Sequence, residues 1–372
     1  MRNMSILLVI MSLFLACKEE MSKPEEYCTS CPDPDLILGE YAPTDYVFDV
    51  PDFMPRPIVP EDNPMTVEGV ELGKMLFFDP ILSRDSSQSC VSCHLPEKSF
   101  TDGLAVSTGI DGITGTRSAM ALVNLAYHNR GFFWDGRVNS LEDQAILPIE
   151  DHTELADTWD NVELKLRRND AYPEKFRAAF GIEKKSEINR DLAVKAIAQF
   201  ERTLISANSR YDQVIWGRNG FPSDAEQRGI ALFFIEDNQN LSHPGCSHCH
   251  FNPLFTDNTF KNNGLDNVEE LDQFEDLGRG QVNRNIYDNG KFKVPTLRNI
   301  ALTAPYMHDG RFATLEEVLD QYATGGHGVI NEDPNIRSFE LTSQEKQDLI
   351  AFLNMLTDTS FVNNPAFQNP FK

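Results

Sequence analysis

"SCVSCHL" at residues 89–95 and "GCSHCHF" at 245–251 place a Cys-x-x-Cys-His motif in each half of a 372-residue chain. Two cysteines three apart can each add a thiol to one vinyl group of haem, and the adjacent histidine is then held under the iron as its ligand. This is the c-type haem attachment signal. The pairs alone leave two other readings open: each could give two thiolates to zinc, or close as a disulfide. Neither accounts for a histidine after both pairs. The haem reading assigns Cys90, Cys93 and His94 to one c-type haem, and Cys246, Cys249 and His250 to a second. His248, between Cys246 and Cys249, is turned away from the iron by the attachment geometry. A third pair, "YCTSCPD" at 27–33, has no following histidine, so Cys28 and Cys31 hold no iron and read as a local disulfide in a tether, or as nothing functional.

The two motifs belong to a longer duplication. Gly73 lies 17 residues before Cys90, and Gly229 lies 17 before Cys246. Phe100-Thr101-Asp102 is echoed by Phe255-Thr256-Asp257, and Asp135-Gly136-Arg137 by Asp309-Gly310-Arg311. Leu141-Glu142 and Leu315-Glu316 follow each Arg at the same distance. The segments before the Cys pairs have helical periodicity. Ser223 with Glu226 forms a capping box for the second of them. Residues 190–206 and 342–357 read as two further amphipathic helices. Strand-like alternation is rare, so the expected fold is mainly α: two tandem cytochrome c-like domains, each with one covalently bound c-type haem. The expected boundaries are 1–17 for a signal peptide, 18–55 for a tether, 56–212 for the first domain and 213–372 for the second, with the C-terminal tail packing back.

A net charge of −24 excludes nucleic acid as a natural partner, because phosphate binding needs clustered Lys and Arg. It favours a basic partner, with steering that salt weakens. The opening "MRNMSILLVIMSLFLAC" has Arg2, an apolar run and Ala16-Cys17. It is a secretory signal too short to span a bilayer. Cys17 after a small residue resembles a bacterial lipoprotein box, with plain signal cleavage nearby as the alternative. The "KEE" that follows resembles an export signal of surface lipoproteins. The protein is thus expected to be exported, as a periplasmic or outer-membrane lipoprotein of a Gram-negative bacterium. Its only membrane contact would be a lipid on Cys17.

The stretches at 72–94, 132–151 ("FFWDGRVNSLEDQAILPIED") and 294–326 ("VPTLRNIALTAPYMHDGRFATLEEVLDQYATGG") resemble the bacterial diheme cytochrome c peroxidase family, which includes the MauG-type enzymes. The resemblance spans roughly residues 60–360. It implies an enzyme that reduces hydrogen peroxide to water with electrons from a small cytochrome c or cupredoxin. The haem on His94 would be the peroxide-reactive one, with Gln144 and Glu154 over its open face and Pro148 between them. A carboxyl there can move a proton between the peroxide oxygens. Read alone, Glu154 is equally a solvated helix charge. Trp134 matches a tryptophan that relays electrons between the haems, and is also a natural core aromatic.

The haem on His250 would receive the electrons. Its sixth ligand is Met in some members and Tyr in the MauG-type enzymes, and the matching position holds Tyr322, which otherwise is an ordinary packing residue. Met307 stands where the family has a non-ligand. Many members cap the resting first haem with a histidine in the loop after the Cys motif. Residues 95–120 hold none, so the first haem is expected to rest open. His128 and His152 are the other histidines of that half. A family calcium ion would take the carbonyls of Thr303 and Pro305, with Ser118 in place of an Asn ligand. Homodimers are common in the family. Two alternatives to the peroxidase stand: a MauG-type oxidase acting on a partner protein's side chain, and a non-catalytic diheme electron-transfer protein.

Overall fold

A computed structural model describes residues 36, 40–235 and 244–372. Cys17, Cys28, Cys31 and the signal-like stretch lie outside them. The described chain is mainly helical. Thr66 caps α1 (Val67–Phe78), its hydroxyl accepting from the Gly69 amide. Ser140 caps α2 (Leu141–Glu150). Next come α3 (Trp159–Arg168), α4 (Tyr172–Phe180), α5 (Arg190–Arg202) and α6 (Arg210–Ile215). The Ser223–Glu226 capping box opens α7 (Asp224–Phe233), as the sequence predicts. A short α8 (Arg279–Asn283) precedes α9 (Leu315–Thr324), α10 (Ser343–Met355) and α11 (Thr359–Val362). Both α5 and α10 end a few residues short of the predicted spans, the first because Thr203 and Leu204 leave the helix. Among the described residues, the strand structure is one two-residue antiparallel ladder, β1 (Phe260–Lys261) against β2 (Phe292–Lys293), with a few isolated bridges. No described helix is long and apolar enough to cross a membrane.

The duplicated glycines mark two helix crossings. A Cβ on Gly73 would lie 1.8 Å from the Ala196 carbonyl oxygen, and one on Gly229 would lie 2.0 Å from that of Asp348. Thus α1 crosses α5, and α7 crosses α10, backbone against backbone, which only glycine permits. The same register puts Phe200 and Phe352 at matching places beside the two glycines.

The buried apolar residues gather around these crossings. Leu72, Leu76, Val162, Phe176 and Ile197 form one cluster. Phe77, Phe100 and Phe200 form a second, joined by Phe361 and Phe367 from the end of the chain. Phe233, Phe255, Leu349 and Phe352 form a third. Polar links join the halves: the Arg117 guanidinium donates to Asp135 at 2.7 Å and, through two nitrogens, to both oxygens of Asp276 at 2.7 and 2.8 Å. The Asn299 amide donates to the Ser99 hydroxyl at 2.9 Å.

Two candidate haem cavities

Each Cys motif forms a single 3-10 turn, at Cys90–Ser92 and Cys246–His248. The chain after it then doubles back to present a carbonyl to the histidine. His94 Nδ1 donates to the Phe100 carbonyl at 2.8 Å, and His250 Nδ1 donates to that of Phe255 at 3.1 Å. Both phenylalanines adopt left-handed backbone, φ 61° and 54°. That is rare for a bulky side chain and is the kind of strain found at functional sites. The hydrogen bond puts the proton on Nδ1 and leaves Nε2 as the nitrogen with the lone pair. Each ring also feels a second backbone carbonyl, that of Met120 for His94 and of Pro295 for His250. Burial lowers the pKa of both imidazoles, against the carbonyls' opposing pull, which keeps them neutral and able to ligate.

Each motif opens into its own cavity. The first, about 980 Å³, is lined by Cys90, Cys93 and His94. The second, about 250 Å³, is lined by Cys246, Cys249 and His250. The pairs therefore do not converge on one four-thiolate zinc site. Two thiols, a neutral imidazole and a cavity beside them in each half fit a covalently held haem.

The helices α2 and α9 wall the two cavities at matching positions, related by 174 residues (315 − 141). Leu141 and Ala145 line the first, Leu315 and Leu319 the second. The polar content differs. Gln144 of the first cavity corresponds to Val318, and Pro148 to Tyr322. A proline cannot ligate a metal, whereas a phenol can. The Tyr322 hydroxyl accepts a long hydrogen bond, 3.4 Å, from the Asn263 amide, which also lies 3.5 Å from Met307 Sδ. Burial raises the Tyr322 pKa and the Asn263 contact opposes it. Met307 lines the same cavity.

Glu154 also faces the first cavity. It sits just beyond α2, where its amide donates to the Asp151 carbonyl and its carbonyl accepts from the Ile110 amide, both at 3.0 Å. Gly109 allows that loop to approach: a Cβ there would lie 2.3 Å from the Thr153 carbonyl. Burial, and secondarily the Asp151 carboxylate, push the Glu154 pKa up to about 7, with Arg137 opposing. Such a carboxyl can hold or release a proton near neutral pH.

Trp134 and His308 occupy equivalent positions in the duplication, and both line both cavities. The Trp134 indole donates to the Ser118 carbonyl at 2.9 Å. His308 stacks on Phe292 with ring centroids 3.6 Å apart. His128 also borders both cavities, and burial, with Lys293 nearby, lowers its pKa to about 3. His152 does not border them. Its side chain is 78 % exposed, beside Asp151.

Thr303, Pro305 and Ser118 line the second cavity. The Ser118 hydroxyl donates to the Met307 carbonyl at 3.0 Å, and its carbonyl accepts from the Trp134 indole at 2.9 Å. Sequence reasoning missed Asn263, Lys293 and Glu201 as cavity residues. Glu201 reads as an ordinary helix charge in the sequence; only the crossing of α5 with α1 gives the register that pairs it with an apolar residue of the second copy.

Residues 67–220 match the di-haem cytochrome c peroxidase family. The chain is similar to the methylamine utilization protein MauG of Methylorubrum extorquens, at 38 % identity over 302 residues, 80 % of each protein. It is 35 % identical over 334 residues to the cytochrome-c peroxidase IdrP1 of a Pseudomonas species, covering 82 % of this chain and 84 % of that one. Its fold superposes on the crystal structure of a MauG-like protein associated with microbial copper homeostasis with a TM-score of 0.81, at 34 % identity, covering 88 % of this chain and 100 % of that one.

Proposed function

From the premise that the chain belongs to the di-haem cytochrome c peroxidase family and is an oxidoreductase of that kind, we propose that its first cavity reduces hydrogen peroxide and its second supplies the electrons. The observation that carries this reading is the asymmetry between the duplicated walls: Gln144, Pro148 and Glu154 border the first cavity, while Val318 and Tyr322 stand at the second.

On this reading Cys90, Cys93 and His94 hold one c-type haem, and Cys246, Cys249 and His250 the other, with Tyr322 as the second iron's further ligand, in two tandem cytochrome c-like domains meeting near residue 212. The haems supply the one-electron chemistry for H₂O₂ + 2e⁻ + 2H⁺ → 2H₂O. The chain supplies the rest. His94 is held in one tautomer by Phe100. Glu154, with its pKa near 7, accepts a proton from peroxide and returns it to the departing oxygen. The Gln144 amide offers a donor and an acceptor to orient the substrate. Trp134 stands between the cavities, where an electron relay is needed. The electrons come from a small cytochrome c or cupredoxin, toward which the net charge of −24 steers a basic face. Export and a lipid on Cys17 rest on residues 1–17 alone.

One equivalent of hydrogen peroxide added to the fully oxidised protein tests the proposal. An immediate change in the haem absorption, without prior reduction, is expected, because Pro148 leaves the first cavity without a ligating side chain at that position. A silent spectrum would refute an open first site. It would point to a cap, with His128 and His308 the histidines that border the first cavity besides His94, or to a plain electron carrier.

Tyr322 favours a second reading, a MauG-type oxidase that draws electrons from a partner protein's side chain. Steady turnover of peroxide with a reduced small cytochrome c separates the two, since the oxidase reading predicts little.

A further inference from the structure

Glu201 is an acid where its duplicate is a leucine. The two helix crossings give the register: Ala196 and Phe200 meet Gly73 as Asp348 and Phe352 meet Gly229. That offset (348 − 196 = 152) pairs Ile197 with Leu349 and Glu201 with Leu353. All four side chains line their respective cavities. The same stripe of the same helix is therefore wholly apolar in the second cavity and carries a carboxyl in the first.

That carboxyl is 4 % exposed, and its Oε2 has no hydrogen-bond partner among the described residues. The neighbouring Arg202 does not neutralise it directly, because its guanidinium is held by both oxygens of Glu142 at 2.8 Å. At this end of α5, α1 contributes the uncharged Phe77 and Phe78. The charged groups acting on Glu201 are Arg202 on its own helix and Glu142 on α2. Cys90 and Glu154 share its cavity. An unpaired buried acid is costly, and a leucine fills the equivalent place without that cost.

We propose that Glu201 couples electron and proton at the first cavity: it takes one proton from solvent when one electron enters the haem held by Cys90, Cys93 and His94, and releases it when that electron leaves. The added negative charge and the added proton cancel, so the buried cavity keeps its net charge. The electron comes from the redox-protein donor. Over a full turnover Glu201 stores nothing, and the two protons consumed end in water. Burial pushes its carboxyl up to about 8, with Arg202 opposing and Glu142 reinforcing, which puts the exchange within reach of neutral pH. The inference rests on the haem reading above and deepens it.

The test is the reduction potential of the peroxide-responsive haem against pH, by spectroelectrochemistry on the protein carrying both haems. In the wild type the reduction equilibrium constant should fall by up to tenfold per pH unit across the Glu201 titration, about 59 mV per unit for one electron. Measured in a common Glu154→Gln background, so that Glu154 does not titrate in the same range, the Glu201→Gln and Glu201→Leu proteins should lose that slope. The leucine variant guards against misfolding, since the second copy packs leucine there. A flat wild-type profile, or the same slope in both Glu201 variants, would overturn the proposal. A protein whose mass shows fewer than two covalent haems would overturn the haem reading itself, and is distinguished before any titration begins.

Discussion

The indole of Trp134 donates to the carbonyl of Ser118 at 2.9 Å, and both residues border both cavities. The ring is thereby fixed in the wall that the two sites share. Its own carbonyl is fixed as well, accepting from the Lys293 amide of β2 at 2.7 Å. Trp134→Phe keeps an aromatic in that wall but removes the N–H. The variant should retain both haems and lose about 1 kcal/mol of stability from the missing hydrogen bond. Electron passage from the reduced second site to peroxide should slow by on the order of tenfold or more, an effect equivalent to at least ~1.4 kcal/mol on that barrier. Stopped-flow oxidation of the pre-reduced protein by peroxide, beside a thermal melt, reads both. An unchanged rate would make Trp134 a packing residue only.

Glu154 sets a pH profile. Its carboxyl is raised to about 7 by burial and then by Asp151. If the ionised form accepts the peroxide proton, the rate of reaction with peroxide should rise with pH through about 7 and level off above it. Glu154→Gln should flatten that limb and slow the reaction by roughly 10²–10⁴-fold. Stability moves the other way. The folded pKa lies above the unfolded one, so ionisation opposes folding: the favourable contribution is full below about pH 4 and is lost as pH rises through 7. The wild type should therefore lose stability relative to Glu154→Gln between about pH 5 and 8, measurable by denaturant melts at both ends.

The two motifs and the repeat were legible because attachment chemistry and helix crossings both need fixed residue types at fixed spacing. Gly73 and Gly229 were readable as repeats, and the structure supplies the reason, a backbone contact that any side chain would block. The capping box at Ser223 was local and so was found. What the sequence did not disclose depends on the third dimension. Glu154 and His152 are two residues apart, yet the turn after α2 sends one into the cavity and the other into solvent. Glu201 reads as one more helix charge until α5 is laid against α1. Asn263 lies far from Tyr322 in sequence, and no local pattern links them.

The crossings themselves make a stability prediction. An added methyl at Gly73 or Gly229 would overlap a carbonyl of a facing helix, and a backbone atom cannot rotate away as a flexible side chain can. Gly73→Ala and Gly229→Ala should each cost about 1–3 kcal/mol or more. Because α1 and α7 are the helices that precede the two Cys motifs in the chain, each change should also reduce haem incorporation in its own half. Haem content by mass, with a thermal melt of the loaded fraction, tests this. Full loading with an unchanged melt would contradict the close crossing.

Tyr322 carries the last prediction, because it stands where the duplicate has Pro148. If its phenol ligates the second iron, it does so against a burial effect that favours the neutral form, so the metal's charge must supply the driving force. A phenolate ligand stabilises oxidised over reduced iron and lowers the potential. Tyr322→Met should then raise the potential of the second haem by on the order of a hundred millivolts, well inside the ≈0.8 V that axial ligands span. Tyr322→Phe, with no donor atom, should leave that iron five-coordinate or recruit Met307, the thioether that shares the Asn263 amide with Tyr322. Asn263→Ala separates these last outcomes: it removes the contact common to both side chains, so a Phe variant that had recruited Met307 should change its spectrum again. Potentials and spectra of the three proteins decide the matter. If Tyr322→Met and Tyr322→Phe both leave the second haem's potential where it was, Tyr322 is a packing residue and the iron takes its sixth ligand elsewhere.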